Sequence, residues 1–264
     1  MLRLSPTVKS LLIINVVIFI AQMLFKQYNL GQFLAMYRLG SVYFAPYQFF
    51  TYMFAHAGFT HILFNMLGLA FLGVSLEMVW GARKFLAFYI ITGMGAGIFY
   101  TVIGYVGTVG LKSDLREYTV DPSLENFVVL VNDHRRKFES LQFNGPGSTI
   151  YDIIETYEKN PEEYKSESVR LVRDAEDIFI THHPGRVIGA SGAVYGILMA
   201  FGMLFPDRQL MLLFPPIPIK AKYLVLILGG MAIYMGMQRS AGDQVAHLAH
   251  LGGMVFGYIM VKFF

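Results

Sequence analysis

Six long apolar runs, free of Lys, Arg, Asp and Glu except for Glu77, decide what this chain can become. They cover residues 10–25, 59–79, 85–111, 187–206, 223–238 and 244–261. About 20 apolar residues in a helix cross the hydrocarbon core of a bilayer, and lipid forces every backbone N–H and C=O to pair inside the protein. The pattern predicts an all-α polytopic membrane protein with six transmembrane helices. Charged residues make up only 15% of the chain, against about 25% in a soluble domain. The first run lacks the small-residue cleavage site of a signal peptide and further spans follow it, so it reads as a retained helix.

Orientation follows from the basic residues beside the spans. With the N-terminus inside, Arg3, Lys9, Arg83, Lys84, Arg208, Lys220, Lys222 and Lys262 lie on the inner side. Lys26, Arg38 and Arg239 lie outside, so a cytoplasmic N-terminus is expected. Residues 112–186 are different: ten Lys and Arg against fifteen Asp and Glu give a local charge of −5 in a chain of net +3. Long loops translocate largely regardless of charge, so this segment is placed outside, as a polar insert between spans three and four. The expected domains are 1–111 and 187–264, forming one membrane domain, and 112–186. Apolar residues at helical spacing in 124–141, in 148–160 and after Pro161 predict a mainly helical insert. Asn144–Gly147 and Asn160-Pro161 are its breakers.

Polar groups inside a span are expensive and mark functional candidates. Here they are His61, Asn65 and Glu77 in span two, Ser191 at the head of span four, and His247 and His250 in span six. Spans two, four and six run in the same direction, which puts His61, Asn65, Ser191 and His250 at one depth near the outer face. Serine beside histidine makes a nucleophile and its base, while an amide and a second imidazole donate to a developing oxyanion. Each residue also has a plainer reading. Ser191 and Asn65 suit helix packing, the histidines suit the membrane interface, and Glu77 suits an interfacial contact with Arg83 and Lys84. The absence of cysteine rules out a thiol nucleophile and a thiolate metal site. No cofactor or metal is expected, since His182-His183 has no supporting carboxylate spacing. The scattered basic residues give no support to nucleic-acid binding.

Three motifs resemble those of the rhomboid intramembrane serine proteases. HILFNM at 61–66 is similar to the family's His-x-x-x-Asn in helix two, and GASG at 189–192 is similar to its Gly-x-Ser-Gly nucleophile motif. AHLGGMVFG at 249–257 is similar to the helix-six pattern of histidine followed by glycine three and seven residues on. YQFFTYMFAHAGFTH at 47–61 resembles the approach to helix two in bacterial members.

The resemblance implies a rhomboid-like bundle in which Ser191 is the nucleophile and His250 the general base, without an acidic third member. His61, Asn65 and the Ser191 N–H would line the oxyanion hole, and Tyr195 would pack on the catalytic imidazole. Asp243, seven residues before His250, reads as a loop charge rather than a triad member. Gly189 and Gly192 would shape the turn into span four, while Gly253 and Gly257 would let span six approach it. The implied substrates are single-span transmembrane proteins in the lipid bilayer, cut near the outer face. Span five, thinly anchored between the loops 209–222 and 238–243, would form a lateral gate with the loop that follows it. A catalytically silent relative that binds client helices remains an alternative, although such relatives commonly lose a catalytic residue. A small transporter would need a polar midplane path and paired repeats, and the sequence has neither.

Overall fold

In the computed structural model, residues 4–141, 149–182, 185–212, 216–238 and 244–264 are described. The chain forms two compact units. One comprises Met1–Tyr37, Ala45–Thr101 and Gly185–Phe264, and the other Arg38–Phe44 and Val102–Pro184.

The first unit is built of apolar helices. Pro6–Leu24 opens with proline in its first turn, where the missing N–H is no loss. Phe59–Gly68 continues through a π-type segment, Leu69–Gly73, into Val74–Val120. Gly81, at φ 77°, breaks that last stretch and separates the second apolar run from the third. Ser191–Leu204, Ala221–Gln238 and Gln244–Val261 follow the predicted runs four to six. Pro6–Leu24 and the stretch Phe59–Val120, which Gly81 divides, are long and apolar enough to cross a membrane; the other apolar helices are shorter.

Of the boundaries that differ from the sequence reading, two have a clear physical reason. The third helix runs on to Val120 instead of stopping at 111, because Leu111, Leu115 and Tyr118 carry a buried face onward past the first charges. The fourth starts at Ser191 instead of 187. Arg186–Val187 is drawn into a short antiparallel pairing, with Met36 opposite Val187 and Tyr37 opposite Arg186.

Glu77 also differs. It is buried, and it accepts hydrogen bonds from the Ser5 hydroxyl and from the Thr7 and Val8 N–H groups, the latter two at 2.9 Å. The expected interfacial contact with Arg83 and Lys84 is replaced by a cap. A carboxylate at the head of Pro6–Leu24 satisfies unpaired N–H donors and meets the positive end of the helix dipole.

The second unit has a core of its own, centred on Tyr118, Phe127, Val131, Phe138, Tyr157 and Val172. The run 124–141 forms Leu124–Asp133 and Arg135–Phe138, interrupted at His134. Ile150–Lys159 begins with a capping box in which Thr149 and Asp152 satisfy each other's backbone N–H. Pro161–Glu176 starts on the proline that ends the preceding helix. The Asn144–Gly147 breaker lies outside the described residues.

Candidate active site

The site begins with a turn that only glycine makes comfortably. Gly189 sits at φ 122°, in the left-handed region, and its N–H donates to the Tyr52 carbonyl at 2.8 Å. A methyl group at Gly189 would lie 2.6 Å from His61 Cε1 and 2.7 Å from His61 Nε2. The bare backbone therefore lets the His61 ring lie against the chain two residues before Ser191. Ser191 is the first residue of its helix. The leading N–H groups of a helix have no intrahelical partner, and the dipole is positive there, which favours negative charge.

His61 and Asn65 are one helical turn apart on Phe59–Gly68. The Ala57 N–H donates to His61 Nδ1 at 3.3 Å, so the neutral ring carries its proton on Nε2, the atom that faces Gly189. Asn65 is buried, and its Nδ2 donates to the His61 carbonyl at 3.0 Å. That same Nδ2 is 3.7 Å from the point where a Gly189 methyl would stand. Two side-chain N–H donors thus face the segment that leads into Ser191.

His250 is held by a ring. Tyr195 stacks on it with centroids 4.1 Å apart and planes 4° from parallel. The backbones of the serine and histidine helices come close enough for this because both carry glycines at four-residue spacing. A methyl at Gly253 would lie 2.0 Å from the Gly192 carbonyl oxygen, and one at Gly257 would lie 2.7 Å from that of Gly196. Ser191 precedes Gly192 and His250 follows Ala249, whose carbonyl oxygen is 3.7 Å from the methyl position at Gly192. Ser191 and His250 therefore stand at the same end of two closely apposed helices. The His247 ring stands edge-on to His250 at 6.1 Å and 84°.

All the sequence-predicted site residues fall in the described region; Asp243, read as a loop charge, and His183 lie outside it. His182 is paired with Asp177 at 2.6 Å and meets the edge of the Tyr43 ring. Among the described residues, no group of three or more His, Asp and Glu side chains is disposed to hold a metal. Sequence reasoning missed Tyr52, whose carbonyl anchors Gly189 and whose hydroxyl donates to the Gly93 carbonyl at 2.6 Å. It also missed His56, which is buried with its ring edge against His61 at 5.2 Å. The stretch 47–61 signalled the family, but an anchoring role for a backbone carbonyl leaves no mark on residue identity.

A polytopic helical membrane protein with Ser, His and Asn side chains gathered at helix ends is the class that these features define. The chain matches the Rhomboid domain over residues 43–113 and 175–264, more than half its length, and it belongs to the rhomboid family. It is similar to rhomboid protease AarA of Providencia stuartii, with 45% identity over 47 residues, 18% of this chain and 17% of that protein. It is also similar to RHOMBOID-like protein 1 of Arabidopsis thaliana, with 34% identity over 99 residues, 36% of this chain and 24% of that protein. The chain thus aligns with under a quarter of the length of each of these curated relatives. The domain match leaves out residues 114–174, which fall within the second unit.

Proposed function

We propose that the protein is an intramembrane serine endopeptidase acting on single-span membrane proteins. The stacking of Tyr195 on His250, beside the Gly192–Gly253 approach that sets Ser191 and His250 at one end of their helices, is the observation that carries this reading. Family membership and the partial likeness to a rhomboid protease support it.

In this mechanism the Ser191 hydroxyl oxygen attacks a substrate peptide carbonyl while His250 takes its proton. The carbonyl oxygen becomes an anion facing His61 Nε2–H, Asn65 Nδ2–H and the Ser191 N–H at the positive end of its helix. The C–N bond breaks as His250 returns the proton to the leaving nitrogen. Water then cleaves the acyl-enzyme with His250 again as base. The six apolar helices cross the bilayer with the N-terminus in the cytoplasm, in a bacterial inner membrane, and the site opens outward. Residues 112–186 form an extracytoplasmic insert that shapes substrate access, and Ala221–Gln238 moves as a lateral gate.

The test is cleavage of a single-span reporter protein co-reconstituted in liposomes. Wild-type protein is expected to cut the reporter. Ser191→Ala and His250→Ala are expected to abolish cutting, and His61→Ala to slow it about 100-fold, the usual loss on removing one oxyanion donor. Equal cleavage by Ser191→Ala would refute the assignment. For the gate, a cysteine cross-link fixing Ala221–Gln238 to the second span is expected to suppress cleavage; full activity of the locked protein would remove the gate from the account.

A further inference from the structure

His61 is aimed by something outside its own helix. Its Nδ1 accepts from the Ala57 N–H, so its orientation depends on where the 56–57 backbone lies. That backbone is gripped from the first helix. Gln22 Oε1 accepts the His56 N–H at 3.0 Å, and Gln22 Nε2 donates to the His56 carbonyl at 3.2 Å. One side-chain amide thereby satisfies both backbone groups of a buried residue, much as a neighbouring strand would.

Gln22 is itself confined. Gly31 lies so close that a methyl there would stand 2.8 Å from Gln22 Nε2. The residue that Gln22 grips also places the imidazole whose edge meets the His61 ring, 5.2 Å between centroids at 66°. The line runs from Gln22 to the His56 backbone, to the Ala57 N–H, to His61 Nδ1, and ends at His61 Nε2 facing the Gly189 turn.

We infer that Gln22 is a positioning residue of the oxyanion hole, holding the 56–57 backbone so that His61 presents Nε2–H to the reacting carbonyl. It touches no substrate and acts through His61. The inference rests on the protease reading for its effect on rate, but the geometry it asserts is independent of activity.

The experiment uses the full chain in lipid nanodiscs and compares wild type with Gln22→Met, which keeps the length of the side chain and removes both hydrogen bonds. Two readouts are taken: the 15N resonance of His61 Nδ1, assigned by its loss in His61→Ala, and kcat and KM for a fluorogenic transmembrane peptide. Gln22→Met is expected to shift the His61 Nδ1 signal and to lower kcat about tenfold with KM unchanged, as for an interaction made only in the transition state. The same substitution in a His61→Ala background is expected to cost nothing further, because the two residues act as one unit.

A folded Gln22→Met protein with an unmoved His61 signal overturns the inference, as does a loss of kcat that persists undiminished in the His61→Ala background. If Gln22→Met does not fold, Gln22→Glu replaces it. That variant keeps an acceptor for the His56 N–H while withdrawing the donor to its carbonyl, and a smaller shift in the same direction is expected. If wild type cleaves nothing yet the His61 signal moves in the variant, the clamp stands and the protease reading falls.

Discussion

Gly253 and Phe127 mark the contrast between the two units of this chain. Gly253 packs by having no side chain, with its helix backbone pressed to the Gly192 carbonyl. Phe127 packs by being large and wholly buried, against Tyr118 and Tyr157 at 5.5 and 6.0 Å between rings. Helices in lipid gain nothing from hiding apolar surface, so they associate through close backbone contact. The core around Phe127 packs as in a water-soluble domain, where burying a phenylalanine is worth about 2–3 kcal/mol. The helices around it carry ion pairs such as Arg135–Glu139 and Lys159–Glu155. In the first unit buried Glu77 caps a helix and buried Asn65 belongs to the candidate site, while buried Asn15 and Thr92 donate back to the Leu11 and Phe88 carbonyls of their own helices. In the second, the buried Tyr118 hydroxyl bonds Ser168 at 2.6 Å inside a structural core.

The largest expected effect lies in the second unit. Phe127→Ala is predicted to destabilise it by about 3–5 kcal/mol, the usual cost of emptying an aromatic core site. Hydrogen exchange over residues 124–180 of the full chain measures this, and labelling of Ser191 by a small probe should survive. Gly253→Ala should do the reverse. The helices must separate, and because a misplacement of about 1 Å costs on the order of 100-fold in rate, cleavage should fall by that much while exchange in 124–180 stays unchanged. Should the two substitutions have exchanged effects, the comparison would be broken.

A smaller effect is expected at Tyr195. Removing the ring with Tyr195→Ala forfeits a stacked contact worth about 0.5–1.5 kcal/mol, so kcat should drop up to about tenfold. Tyr195→Phe, which keeps the stack, should restore it.

The smallest effect is one of pH. The Asp152 carboxyl is held below the usual carboxylate range because the Thr149 N–H and hydroxyl donate to it. Glu139 is lowered in the same way, by Arg135 and then Tyr151. A depressed folded-state value stabilises the fold above the unfolded carboxylate range, and that contribution disappears as pH falls through the depressed value. Protection factors in 124–180, referred to the intrinsic exchange rate at each pH, should therefore fall in acid. Asp152→Asn, which removes the titrating carboxyl, should weaken that dependence; an unaltered profile would discount the cap.

The sequence made the helices legible wherever apolar runs were long, and Ser191, His61, Asn65 and His250 stood out because polar groups in such runs are rare, while Gly189 stood out through the motif around Ser191. It was silent where position depends on backbone. Val187 looks like part of a span until Met36 is seen beside it, and no hydropathy window reveals that pairing. Glu77 read as an interfacial charge because Arg83 and Lys84 are near it in sequence, whereas its partners are Ser5, Thr7 and Val8. Gln22 gave no signal at all, since one amide near a span end is unremarkable until both of its hydrogen bonds are seen to meet one residue.

If the protein cleaves peptide bonds as proposed, Ser191 is an activated nucleophile. Purified protein in liposomes, treated with a fluorophosphonate and read by intact-mass and peptide analysis, tests it directly. A single adduct on Ser191 is expected, absent in Ser191→Ala and in His250→Ala. A folded, monodisperse wild-type protein that takes no label, or an adduct that persists in Ser191→Ala, would contradict it.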